Sequence, residues 1–284
     1  MGNAYLLSSK LSDAATIVAS DAVGNAGAAN LLISRPRLKY RSITATPNLV
    51  LDFGAPTTID TVVHGFINGM AGDTFTLRMA SAQGKLTDGT AEFNAAAIAQ
   101  PVWPVGSNLA AYDQMHRGYK LPSAQTLRWA RIDYGFSGNS DGFVDMGRLI
   151  LGKRIEPSIS VKGGWTPGGL EAIAETVDLS GEESPRQMGT KRDLQATWHD
   201  VTQSEMNAIY EMLLERGSAK DLAMVIDPDS IYPMSQTVIG RVKQKFTFPQ
   251  TINTGSDPLG SGGRSGLHFT VVVIVSEMAP LLMN

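Results

Sequence analysis

The chain has 284 residues, 43% of them apolar and 18% charged, with a formal net charge of −3 and a pI near 5.8. This is enough length for two domains and enough apolar side chain for real cores, which excludes wholesale disorder. No Lys/Arg run forms the basic stripe that displaces counterions from phosphates, which argues against nucleic acid as a partner, and the absence of cysteine excludes disulfides, thiolate metal sites and cysteine nucleophiles.

The start, Met1 to Lys10, lacks a basic stretch followed by a long apolar core and does not read as a signal peptide. With no cysteine, that points to synthesis in a cytosol. From about Ala15 to Gly152 the text is strand-like: short runs of Val, Ile, Leu, Phe and Thr separated by Gly, Asn, Asp and Pro. Arg35, Arg37, Lys39 and Arg41 alternate as a solvated strand face does. Val50 to Phe53 is a strand expected to stop at the turn Gly54-Ala55-Pro56. In Thr74–Met79 the period of two places Phe75, Leu77 and Met79 on one core face. Gly84 to Leu121 reads as long loops with one short strand or helical turn near Ala91–Ala99. Trp129, in an alternating strand, is expected in the core.

Glu156-Pro157-Ser158 is the expected domain boundary. Beyond it, Ile159–Val161 and Ala174–Leu179 are expected strands joined through the turn Gly163–Gly169. Arg192–Trp198 is a further strand, with Trp198 in its core. Thr202-Gln203-Ser204-Glu205 is a capping-box pattern. Met206, Ile209, Tyr210 and Leu213 follow at helical spacing, and Gly217 supplies the stop, so one amphipathic helix is expected over 202–216. Asp221–Ile226 is a strand, Asp227–Ser230 a turn, and Gln236–Phe248 and Gly266–Ser276 two long strands. The Gly-rich segment 253–266 between them is either a functional hairpin tip or a mobile loop. The run Val271–Val275 is far too short to span a bilayer.

The candidates for chemistry are thin. His64, His116, His199 and His268 are scattered without metal-ligand spacing, and neither a nucleophile elbow nor a Walker loop occurs. His199-Asp200 reads as polarity at a helix entrance. Asp227 and Asp229, like Asn139–Gly142, read as turn residues rather than cation ligands. Trp103, Tyr112, His116, Arg117 and Tyr119 cluster before Leu121. Aromatic rings and forked donors are the material of sugar sites, so these five form a candidate ligand patch; the alternative is that Trp103 plugs the end of the sandwich. No cofactor or metal is implied, and the chain is expected not to be an enzyme.

The order Asn30-Leu31-Leu32, Tyr40-Arg41-Ser42, Leu51-Asp52-Phe53-Gly54, Ile59-Asp60-Thr61-Val62, Arg131-Ile132-Asp133-Tyr134 and Gly147-Arg148-Leu149-Ile150-Leu151-Gly152 resembles the discoidin, or galactose-binding-like, domain. That resemblance implies a jelly-roll β-sandwich over residues 1–156, devoted to holding a ligand, with no shared catalytic residues. Some such domains carry calcium in an N-terminal loop; here 21–30 would be the place, and it has few carboxylates. Residues 158–278, with Arg192–Trp198, Val201–Glu205, Asp227-Pro228-Asp229 and a long hairpin, are similar to tail-tip and baseplate proteins of long-tailed bacteriophages, the distal-tail and tail-tube-like group. This second resemblance implies a mainly β domain over 157–284, a sandwich or barrel with one packed helix and a long hairpin. It implies self-association into a ring (a hexamer, with a trimer as the other order), with Phe246, Phe248, Leu259 and Arg264 at the interface. Tube, hub and fibre proteins would be partners, and a host-surface glycan a further one. Membrane insertion and nucleic-acid specificity are not expected. The expected function is a structural part of a tail tip or baseplate in the virion, assembled in a bacterial cytoplasm; the alternative is a free carbohydrate-binding accessory module. A hydrolase using Asp227 and Asp229 is the third reading.

Overall fold

The computed structural model describes residues 3–69, 73–95, 98–99, 115–138, 141–161, 165–177, 183–229, 236–243, 250–252 and 267–278. The chain opens with β1 (Tyr5–Ser8), a short helix α1 (Lys10–Ala14), β2 (Thr16–Ala19) and β3 (Tyr40–Arg41). Next come β4 (Asn48–Ile67), β5 (Thr74–Ala80), β6 (Phe93–Asn94), β7 (Ile98–Ala99), β8 (Met115–Gly135) and β9 (Asp145–Gly152). The later part holds β10 (Trp165–Val177), β11 (Glu183–Thr202), α2 (Gln203–Arg216), β12 (Asp221–Val225), β13 (Thr237–Val242), β14 (Gln250–Ile252) and β15 (Leu267–Glu277). The fold is mainly β, and these strands pair antiparallel in two sheets.

The first sheet is a sandwich made by bending. The front of β4, Asn48–Asp52, pairs with β2 and with Trp129–Asp133 of β8; its back, Thr61–Ile67, pairs with Met115–Lys120 of β8 and with β9. Register shifts between Asp52 and Thr57 and between Ile59 and Thr61 supply the corner. The expected turn at Gly54 is therefore absorbed into a bulged strand, with Gly54 at φ 76°. Phe75, Leu77 and Met79 of β5 are buried as the period of two requires. On β8 the buried phase is Ala130, Ile132 and Tyr134. Trp129 is thus on the outer phase, half-exposed, with Arg128 5.2 Å from its ring. Arg35–Lys39 forms turns rather than a strand, and Lys39 and Arg41 both pair with Asp145.

The second sheet runs β1-β12-β13-β15-β11-β10, with β14 beside β15. Trp165–Gly169, expected as a turn, lies within β10. Pro167 lies in a strand paired on one side only among the described residues, the setting in which strands accept proline. Helix α2 packs on this sheet through Ile209, Met212 and Leu213, beside Trp198, Leu222 and Val273. Its capping box is present: the Thr202 Oγ1 accepts from the Glu205 N–H at 3.4 Å, and Glu205 accepts from the Thr202 N–H at 3.0 Å. Tyr210 faces outward, 40% exposed, because the buried stripe runs 209, 212, 213 and 216.

The boundary at Glu156 does not separate two independent halves. The strand β1, which the sequence reading did not anticipate, pairs with β12 in the second sheet from Tyr5↔Val225 to Ser8↔Leu222. A third apolar cluster, Leu7, Val63, Phe66, Ile150, Ala223 and Ile239, fills the seam between the sheets. The packing there leaves no room for side chains: a Cβ on Gly65 would lie 2.2 Å from Ile239, and one on Gly118 would lie 2.3 Å from the Tyr5 hydroxyl.

Candidate functional site

The ladder between β4 and β8 sorts the candidate residues onto two faces. Val62 lies opposite Tyr119, and His64 opposite Arg117. The imidazole of His64 meets the Phe75 ring edge-on at 4.5 Å and that of Tyr134 at 5.7 Å, both in the sandwich core. Tyr119 packs against the same core, its ring 6.1 Å from Phe75. Val62, His64, Arg117 and Tyr119 therefore share the sandwich side, and the alternate residues His116, Gly118 and Val63 face the seam.

On the sandwich side, His64 is fully buried and neither ring nitrogen has a hydrogen-bond partner among the described residues. Burial, then the nearby positive charge of Arg117, pushes its pKa down to about 3, so the ring is neutral. Arg117 is partly exposed. Burial pulls its pKa down, and the groups that oppose this among the described residues are the phenols of Tyr119 and Tyr5, not a carboxylate.

On the seam side, His116 is buried rather than open to a ligand, which removes it from the expected patch. Its Nδ1 accepts from the Phe66 N–H at 3.2 Å, so that nitrogen carries no proton and Nε2 donates to Glu277 at 2.6 Å. Phe66 takes φ 55°, a left-handed backbone costly for a bulky residue, and this bond to His116 helps hold it there. Burial alone would raise the Glu277 carboxyl, but hydrogen bonds from Arg192 and His116 hold it at about 2. A second polar knot closes the other end of the seam. Buried Arg148 donates to Asp221 at 2.6 and 2.9 Å, to the Leu31 carbonyl at 2.9 Å and to Asp13. Arg216 joins Asp13 at 2.6 Å, and Ser34 donates to Asp221 at 2.5 Å. Burial would raise Asp221, but the Arg148 charge and its donors keep it below the ordinary carboxylate range.

Of the expected ligand residues, Arg117 and Tyr119 are brought together. Trp103 and Tyr112 lie outside the described residues, as do Phe246, Phe248, Leu259 and Arg264 of the expected interface. Asp227 accepts from the Asp229 N–H at 3.0 Å, a local turn. No group of three metal-ligating side chains occurs among the described residues, nor any helix long and apolar enough to cross a membrane. The position of His64 behind Arg117, on the same face of the ladder, was not read from the sequence. The signal available was the alternation Arg117, Tyr119, Leu121, which marks the start of β8 inside text that reads as loop.

No family model matches the chain, and no curated protein matches it. Solved structures similar to part of it include a family 32 carbohydrate-binding module from C. perfringens NanJ in complex with galactose, at 10% identity and TM-score 0.38, over 52% of this chain and 98% of that one. A chitosan-binding module from a Paenibacillus sp. chitosanase/glucanase matches at 13% identity and TM-score 0.38, over 50% and 98%. A Ruminococcus gnavus fucosidase in complex with fucose matches at 13% identity and TM-score 0.36; there the match spans 50% of this chain and only 25% of the fucosidase.

Proposed function

We propose that the chain is a binding protein rather than an enzyme, and that its sandwich takes a carbohydrate on the β4/β8 face that carries Arg117 and Tyr119. One observation carries the reading. Two partly exposed residues, one aromatic and one with a guanidinium, stand two positions apart on one strand face, with Tyr119 packed on Phe75 and paired with Val62. Stacking surface beside a few oriented donors is what a pyranose requires. The second sheet serves as a rigid mount: its seam with the sandwich is apolar in the middle and ion-paired at both ends. A glycan array probed with the full chain tests this. Saturable binding to a defined glycan set, lost in Tyr119→Ala, is expected; an array without a single saturable glycan contradicts it.

A second reading keeps the phage-tail role, in which copies of the chain form a ring in the virion. It is supported by β10, thirteen residues long and paired on one side only among the described residues, since an open strand edge is a template for another chain. Light scattering during size-exclusion chromatography tests it: a concentration-independent monomer removes this reading and leaves the first intact.

A further inference from the structure

We propose that Arg117 anchors a carboxylate, so that the ligand of the sandwich is an acidic sugar. This rests on the carbohydrate reading above and narrows it to a substrate class. Shielded arginines elsewhere in the described structure have acidic partners: Arg148 has Asp221 and Asp13, Arg216 has Asp13, Arg192 has Glu277, and Arg154 has Glu156 and Asp60. Arg117 is shielded to a comparable degree as Arg192, yet no carboxylate of the described residues pairs with it. Removing a guanidinium from water without a counter-charge is unfavourable, and a planar carboxylate is the group its fork fits best.

His64 makes the same point independently. It sits directly across the ladder from Arg117, fully buried, with neither nitrogen bonded among the described residues. Fully buried, His64 is out of a ligand's reach, and its neutral ring offers Arg117 no charge from inside, which leaves the counter-charge to a ligand. Tyr119, backed by the Phe75 ring, is the partly exposed aromatic residue beside Arg117. A sugar with a carboxylate, as in a uronic acid, brings a counter-charge for Arg117 and a ring face for Tyr119.

The test is titration calorimetry of the full chain with trigalacturonic acid and with neutral galactotriose, repeated on Arg117→Gln and Arg117→Lys. The acidic trimer is expected to bind at least about tenfold more tightly than the neutral one, the scale of a charge-assisted hydrogen bond. Arg117→Gln should abolish that preference, and Arg117→Lys should retain part of it. Because no carboxylate of the described residues pairs with Arg117, Arg117→Gln should melt no lower than the parent. A melting point several degrees lower would show a structural partner and overturn the inference, as would equal binding of the two trimers. Failure to bind the acidic trimer, with neutral glycans bound on the array, overturns this inference alone. No glycan bound at all overturns both readings.

Discussion

At the residue scale, the seam is set by charges that have partners and by glycines that leave room for them. Removing one member of a buried pair strands the other, at a cost of roughly 3–5 kcal/mol. Asp221→Asn is therefore expected to lower unfolding free energy by about that amount in urea denaturation, since it leaves the fully buried Arg148 with less than its charge complement. Gly118→Ala drives a methyl into the Tyr5 hydroxyl and Val225, and is expected to destabilise by about 1–3 kcal/mol. The pH dependence follows from depressed pKa values, those of His64 and Glu277 among them. His64 is held at about 3 from 6.5, so the unfolded chain takes up its proton first and stability falls as pH drops below 6.5. Glu277 is held at about 2 from 4.5, so its contribution is complete above 4.5 and lost as pH falls toward 2. Burial also holds His116 below its ordinary value, so melting temperature should decline in two overlapping stages below pH 6.5, and His64→Phe should reduce the upper one without removing it.

At the element scale, what could be read from sequence was local. The capping box at Thr202 and the stop at Gly217 bracket α2 as written, and the alternation in β5 gives its buried face directly. Thr202→Ala is expected to cost about 1 kcal/mol in chemical denaturation, the usual value of an N-cap; Glu205→Ala should cost more than a cap alone, because Glu205 also accepts from the Ser158 N–H at 2.7 Å. Turn residues misled wherever tertiary pairing overrode them. Gly54-Ala55-Pro56 and Trp165–Gly169 carry turn chemistry, yet a bulge and an edge position let both remain within strands. The start of β8 was hidden for the same reason: Gly118 interrupts its apolar pattern, and the need for that glycine comes from Tyr5, more than a hundred residues away.

At the scale of the whole molecule, the decisive contacts are long-range and left little trace in the sequence. The pairing of β1 with β12 and the cluster of Leu7, Val63, Phe66, Ile150 and Ile239 tie the sandwich to the second sheet. Each such buried aliphatic contributes roughly 1.5–3 kcal/mol, so the two sheets should unfold together, as one calorimetric transition with matching van't Hoff and calorimetric enthalpies. Two separated transitions would show the seam to be weaker than its packing implies. The candidate site was legible only in part: Arg117 and Tyr119 were visible as sugar-binding residue types, whereas the separation of His116 from them, and the position of His64 behind Arg117, depend on which phase of the β4/β8 ladder faces inward. The most direct measurement is NMR mapping of the side-chain resonances of Arg117, Tyr119 and His64 during titration with a glycan that the chain binds. The account predicts saturable shifts concentrated on those three side chains. Saturation with shifts confined to other surfaces of the molecule would contradict it.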